Sequence, residues 1–443
     1  MASSNAQPQF EAEVDQNEYL PEGGRTVDAI LTVTATGGPG NASDTGAQST
    51  GAASGTRTAQ IIIVDVSGSM AAPATKMTEA KKATQTAIDA LPDGTPFAVI
   101  AGNGAATMVY PPQPGTVVAD RRTRDEARHA VHLLWANGGT AIGRWLDLAN
   151  FVFASTTAEI KHAILLTDGE NQHETREQLE KVLAACEGKF ICDARGVGHG
   201  WVAEELRLIS SALLGTADGL ESPDELAGAF AAMTRAAQGK TVADVSLRLW
   251  TPANSVIRSV KQVFPQVEDL TARRVEVSAR IGEYPTGAWG AEGRDYHITV
   301  DVEPDAVGEE VLAGRVSLVS NGQVLTEKLI LAKWTDDEAR STKINKRVAA
   351  YTGQAELASA IQEGLKARDA GDEETATAKL GRAVQLAEET GHTDTAKLLA
   401  RVVEVEDAKA GTVRLKRRTA DENTEIINVR STKTVRVQRQ KES

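Results

Sequence analysis

Residues 61–70 read Ile61-Ile62-Ile63-Val64-Asp65-Val66-Ser67-Gly68-Ser69-Met70, a β-branched apolar run that breaks directly into a polar turn. A short continuous apolar run of this kind predicts a strand buried on both faces. Comparable runs recur at Phe97-Ala98-Val99-Ile100, Ala163-Ile164-Leu165-Leu166 and Phe190-Ile191-Cys192. Helical patterns follow them around 80–91, 177–186, 203–214 and 224–237. Buried strands alternating with helices specify a doubly wound, mostly parallel α/β sheet over residues 58–240. Ligands of such sheets sit beyond the carboxyl ends of the strands, where loops and helix N-termini converge. The turn that begins at Asp65 lies there.

The residue types in that turn carry a definite chemistry. Asp65, Ser67 and Ser69 alternate, so three oxygens can face one point, and Gly68 permits the tight turn. Two more oxygen sources stand at equivalent places: Thr140 in Asn137-Gly138-Gly139-Thr140 and Asp168 in Leu166-Thr167-Asp168-Gly169. Carboxylates and hydroxyls without thiolate or imidazole suit a hard octahedral cation, Mg²⁺ or Mn²⁺. If Asp65 and the serines merely capped a helix, Thr140 and Asp168 would be left unexplained. Over roughly 58–240 the chain resembles a von Willebrand factor A domain, and these five residues resemble its metal-ion-dependent adhesion site. The resemblance implies that an Asp or Glu of a protein partner completes the coordination, so the site binds and the protein is not an enzyme.

Other chemistry-bearing residues give weaker signals. His162 and His173 are expected to be solvated surface residues, and His173-Glu174 lacks the second His of a zinc protease motif. Gly239-Lys240-Thr241 follows a helix and has Thr234 where a phosphate loop needs glycine. Cys186 and Cys192 are too few for a disulfide framework or a four-thiolate zinc site and are read as buried hydrophobes. No base-and-nucleophile pair is evident for a hydrolase.

The flanking sequence is organised differently. Val27, Ala29, Leu31, Val33 and Ala35 alternate as one face of a strand. Residues 1–36 are therefore expected to lend a strand to a sheet elsewhere, and 37–57, without aromatic, Leu, Ile or Val, to form a flexible linker. Period-two stretches between turns over 241–335 predict an antiparallel β-sandwich, with the α/β domain inserted into or preceding it. Trp250, Trp289 and Trp334 are expected in its core or edges. Residues 336–410 predict a small helical bundle with a tetratricopeptide-like hairpin at 364–372, and 411–443 a basic, Thr-rich disordered tail.

The chain has 443 residues, enough for about three domains. Its net charge of −13 argues against nucleic acid or anionic membrane as the general partner. No apolar run reaches the length of a membrane span. Met1–Gln9 lacks the regions of a signal peptide, so a cytoplasmic location is expected and the sequon at Asn41 is read as accidental.

The tail adds a second expectation. Thr424 follows Asp421 and Glu422 and precedes Ile426, Ile427 and Val429; Thr434 with Val437 is a weaker counterpart. A phosphothreonine with an aliphatic residue three positions on resembles ligands of forkhead-associated domains. The whole resembles bacterial, particularly actinobacterial, cytoplasmic von Willebrand A proteins, with Arg195-Gly196-Val197-Gly198 and Ile281-Gly282-Glu283-Tyr284-Pro285 part of the likeness. That resemblance implies a Ser/Thr kinase and a forkhead-associated protein as partners. The alternative is a substrate-presenting subunit of a separate AAA+ ATPase. Residues 411–443 hold 9 Lys/Arg against 4 Asp/Glu, so the basic tail is expected to rest on an acidic body until phosphate weakens the attraction.

Overall fold

The computed structural model describes residues 8–17, 19–37, 58–198, 200–416 and 421–437. Two compact units emerge: Met1–Gly40 with Val242–Arg418 and Ser431–Ser443, and Asn41–Thr241 with Thr419–Arg430. Along the chain the second is inserted into the first. The expected linker, Gly37 excepted, and the Asn41 sequon lie outside the described residues. No helix among the described residues is long and apolar enough to cross a membrane.

The inserted unit is an α/β sheet. Its strands run in the order Ala217–Leu220, Ile191–Val197, Ile160–Thr167, Thr58–Asp65, Pro96–Gly102 and Ala106–Tyr110. The first five are parallel, and Ala106–Tyr110 and the short Val117–Val118 close the far edge antiparallel. Thr58–Asp65 is buried along its whole length, which is why its centre, Ile61-Ile62-Ile63-Val64, reads as continuously apolar. Ile62, Val64 and Val66 share a core with Ala80, Ala83 and Ala87 of helix Thr75–Asp89 and with Phe230 of helix Leu226–Gln238. After Thr58–Asp65 the chain lays its next strand on one side and later returns with Ile160–Thr167 on the other. The switch point therefore lies between Asp65 and Asp168.

The other unit holds two antiparallel sheets. One runs Gln9–Gln16, Thr26–Thr36, Gly293–Val302, Ser255–Phe264, Glu268–Asp269. The second runs Val275–Ser278, Ile281–Gly290, Lys240–Trp250, Glu310–Ser320, Gln323–Thr335, with Tyr19–Pro21 pairing parallel at its edge. Val27, Ala29, Leu31, Val33 and Ala35 of the first sheet share one core with Val245, Leu247, Leu249, Trp289 and Trp334 of the second. Helices Lys346–Asp369, Glu373–Thr390 and Thr393–Val402 follow. The fully buried Asp295 carboxylate accepts from Arg347 (2.8 Å), Tyr351 Oη (2.5 Å) and Arg436 (3.3 Å).

Two expectations need correction. The bundle does not run to 410: Val403–Asp407 pairs with Thr412–Leu415 as a hairpin, in keeping with the Val-Glu-Val-Glu alternation. Nor is 411–443 a disordered tail where it is described. Asp421–Arg430 is a helix whose Ile426, Ile427 and Val429 are buried, and Ser431 onward belongs to the first unit. Within the inserted unit, Glu425 accepts from Ala203 N–H (2.6 Å), and Arg430 donates to Asp218 (2.8 Å) and the Gly219 carbonyl (2.9 Å). The apolar triplet buries enough surface to order a stretch that composition alone marks as solvated.

Candidate metal centre

The end of the central strand shapes the first loop. Val66 N–H donates to the Gly102 carbonyl (2.7 Å), and Gly68–Ala71 then turns as one 3₁₀ segment. Asp65 Oδ1 accepts from Ser67 N–H (2.7 Å), and Oδ2 accepts from Thr167 Oγ1 (2.7 Å) and Asp168 N–H (3.4 Å). Ser67 Oγ and Ser69 Oγ lie 2.9 Å apart, and Ser69 Oγ donates to Asp168 Oδ1 (2.6 Å). The second loop is tied to the first by Gly68 N–H to the Gly138 carbonyl (2.9 Å) and Asn137 N–H to the Val66 carbonyl (2.7 Å). A Cβ on Gly169 would stand 3.4 Å from Ser69 Oγ and 3.5 Å from Thr140 Oγ1, so both hydroxyls flank one point. Asp65, Ser67, Ser69, Thr140 and Asp168 thus come together at the switch point.

Residues the motif does not contain complete the setting. Lys76 Nζ donates to Asp168 Oδ2 (2.6 Å), and both groups are buried. The His173 ring lies against Gly139, where a Cβ would fall 2.0 Å from Cε1. His173 Nδ1 accepts from Thr140 N–H (3.3 Å) while the His173 backbone N–H donates to the Thr140 carbonyl (3.0 Å). His173 is exposed as expected, yet it braces a site residue. Helix Ile142–Ala154 has no N-cap side chain of its own. Its first amides are instead met from the third loop, Ile142 N–H by Asn171 Oδ1 (3.0 Å) and Gly143 N–H by Glu174 Oε2 (2.7 Å). Thr167 was legible as part of Thr167-Asp168-Gly169; Lys76, Asn171 and Glu174 gave no signal.

Burial pushes the Asp65 carboxyl up to about 6; hydrogen bonds from Ser67 and Thr167 oppose that rise and neighbouring Asp168 adds to it. A buried carboxylate with this cost is relieved by a cation. The donors are carboxylate and hydroxyl oxygens, which fit a hard dication. No group of three or more His, Cys, Asp or Glu suited to a metal exists among the described residues.

The remaining candidates fall elsewhere. His162 is not a solvated residue: it is buried, with Nε2 2.8 Å from Asp193 Oδ2. Burial alone would raise the Asp193 carboxyl, but the hydrogen bond and charge of His162, Arg195 and the Thr216 hydroxyl outweigh it and hold Asp193 well below the usual range. Cys186 and Cys192 are buried free thiols. Thr424 sits in the Asp421–Arg430 helix, and Ile427, three residues on, is 0% exposed. Thr434 Oγ1 donates to the Val263 carbonyl (2.6 Å). Neither threonine lies in the open tail expected from the sequence.

A doubly wound sheet that gathers carboxylate and hydroxyl oxygens at its switch point defines a class of ligand-binding α/β modules. Residues 59–218 match the von Willebrand factor type A domain, and 385–431, ending just past the Asp421–Arg430 helix, match the von Willebrand factor type A C-terminal domain. The von Willebrand factor type A protein from Catenulispora acidiphila is 48% identical, covers 99% of both chains and superposes with a TM-score of 0.90. The chain belongs to the von Willebrand factor type A family. The ArnB paralog VWA2 from Sulfolobus acidocaldarius shares the fold at 12% identity and TM-score 0.56, over 96% of this chain and 100% of that one. An uncharacterized protein of Synechocystis is 29% identical over 219 residues, 48% of this chain; the match spans 50% of that curated relative's length. Domains of this family are commonly metal-dependent protein-interaction modules.

Proposed function

We propose that this chain is a metal-dependent protein-binding scaffold. Asp65, Ser67, Ser69, Thr140 and Asp168 would hold Mg²⁺ or Mn²⁺, and an Asp or Glu carboxylate of a protein partner would complete the shell. The observation that carries this reading is the run of oxygens from Ser67 through Ser69 to Asp168, at 2.9 and 2.6 Å, beside the buried Asp65. Binding rather than turnover is supported by His173, whose Nδ1 already accepts from Thr140 N–H instead of being available to activate water. The test is affinity capture with the full chain in Mg²⁺ and in EDTA. A partner retained in Mg²⁺, and lost both in EDTA and with Thr140→Ala, supports the reading; one retained equally in all three refutes it.

The proposed kinase and forkhead-associated partners call for a different state of the C-terminal helix. Recognition of phosphorylated Thr424 with Ile427 needs an extended segment, so the helix must first leave its site. A phosphopeptide of residues 418–432 is expected to bind a forkhead-associated domain more tightly than the intact phosphorylated chain. Equal affinities would remove the helix as an obstacle.

A further inference from the structure

We propose that Lys76 is a built-in counter-cation of the metal centre, positioning Asp168 and holding metal affinity low until a partner carboxylate arrives. This rests on the metal-binding reading above. Lys76 lies in the first turn of helix Thr75–Asp89 and is 5% exposed. Its ammonium donates to Asp168 Oδ2 at 2.6 Å, while Asp168 Oδ1 accepts from Ser69 Oγ at 2.6 Å. Both oxygens of one carboxylate are therefore engaged, one by a hydroxyl of the site and one by a fixed charge. Gly198, with φ +68°, makes room for the lysine stem: a Cβ there would fall 2.8 Å from Lys76 Cε. A lysine this deep is stable only beside its counter-charge.

The charge balance gives the pairing a consequence. Asp65 and Asp168 supply two negative charges and Lys76 returns one positive, so a bound dication leaves the centre with one surplus positive charge. One carboxylate from outside neutralises that surplus. Without Lys76 the two aspartates would neutralise the metal alone, and the metal would stay without a partner. Lys76 thus converts a metal-storing site into one that holds its metal more weakly alone and more tightly once an acidic ligand is bound.

The experiment titrates MgCl₂ by calorimetry into full-length wild type, Lys76→Met, Lys76→Gln and Asp65→Asn, with melting temperatures followed in parallel. Loss of one like charge beside the dication predicts roughly tenfold or more tighter Mg²⁺ binding in Lys76→Met. Its metal-free melting temperature should fall, because Asp168 is left unpaired, and Mg²⁺ should raise it more than it raises wild type. Lys76→Gln keeps a donor for Asp168 Oδ2 without the charge, so it reports where Lys76→Met does not fold. Equal or weaker Mg²⁺ affinity in both neutral variants, with wild type binding and Asp65→Asn not, overturns the role of Lys76 and leaves the metal reading standing. Absence of binding in every protein overturns both. Binding confined to the neutral variants supports the ammonium as the obstacle.

Discussion

Replacing Ile427 by alanine tests the assignment of the C-terminal helix. Ile427 is 0% exposed, with Ile426 and Val429 each at 1%. The truncation removes three carbons from a closed site, and transfer plus cavity terms place the cost at about 3 kcal/mol, within the ~2–5 typical of such changes. The helix has 10 residues, fewer than the ~12–15 at which an isolated helix becomes marginal in water, so it persists through its packing. A local cost of about 3 kcal/mol multiplies its opened fraction roughly a hundredfold or more. Native-state hydrogen exchange reads this directly: amides of 424–430 should be protected in wild type and exchange at least tenfold faster in Ile427→Ala, while those of Thr58–Asp65 change little. Fast exchange of 424–430 in wild type, or equal rates in both proteins, would refute the reasoning and return this segment to a solvated tail.

Gly139→Ala forces a Cβ to within 2.0 Å of the His173 ring; Mg²⁺ affinity should fall at least about fivefold, with partial recovery in Gly139→Ala/His173→Ala by calorimetry. Asp193, held below its unfolded value, contributes stability above about pH 4 that is lost as pH falls through its lowered folded value. Asp193→Asn should therefore cost about 2 kcal/mol in urea unfolding at pH 7 and markedly less at pH 3, and a pH-independent cost contradicts this. Arg347→Ala leaves the buried Asp295 without its 2.8 Å partner and should destabilise the sandwich unit by about 3 kcal/mol. Asp295→Asn in that background should restore part of the loss, read as recovered melting temperature.

What was legible in the sequence follows from where the determining partners lie. The strand at Thr26–Thr36 announced its core face because Val27 through Ala35 alternate, and its need for a sheet followed from its isolation. The site residues were legible because each of their loops carries a short local phrase at a strand end. Lys76 was not, since a lysine in a helix's first turn reads as solvated and its counter-charge stands 92 residues later in the chain. The burial of His162 is hidden from the sequence for the same reason, its partner Asp193 being on the neighbouring strand. The C-terminal helix escaped because Ile426, Ile427 and Val429 are too few to set a period, and the groups that hold it, Gly219 beside Ile426 and Ala203 N–H bonded to Glu425, stand some two hundred positions away. Local composition speaks for elements that carry their own pattern and is silent on those completed by tertiary contact.

The metal centre is tested most directly by titrating MgCl₂ into wild type and Asp65→Asn at neutral pH. Asparagine keeps the size of Asp65 and an acceptor for Ser67 N–H, now 2.7 Å from Oδ1, while removing the buried negative charge. Wild type should bind one equivalent of Mg²⁺, and Asp65→Asn, folded by circular dichroism, should bind at least about a hundredfold more weakly. Equal affinity in the two proteins would contradict a metal held by Asp65, Ser67, Ser69, Thr140 and Asp168.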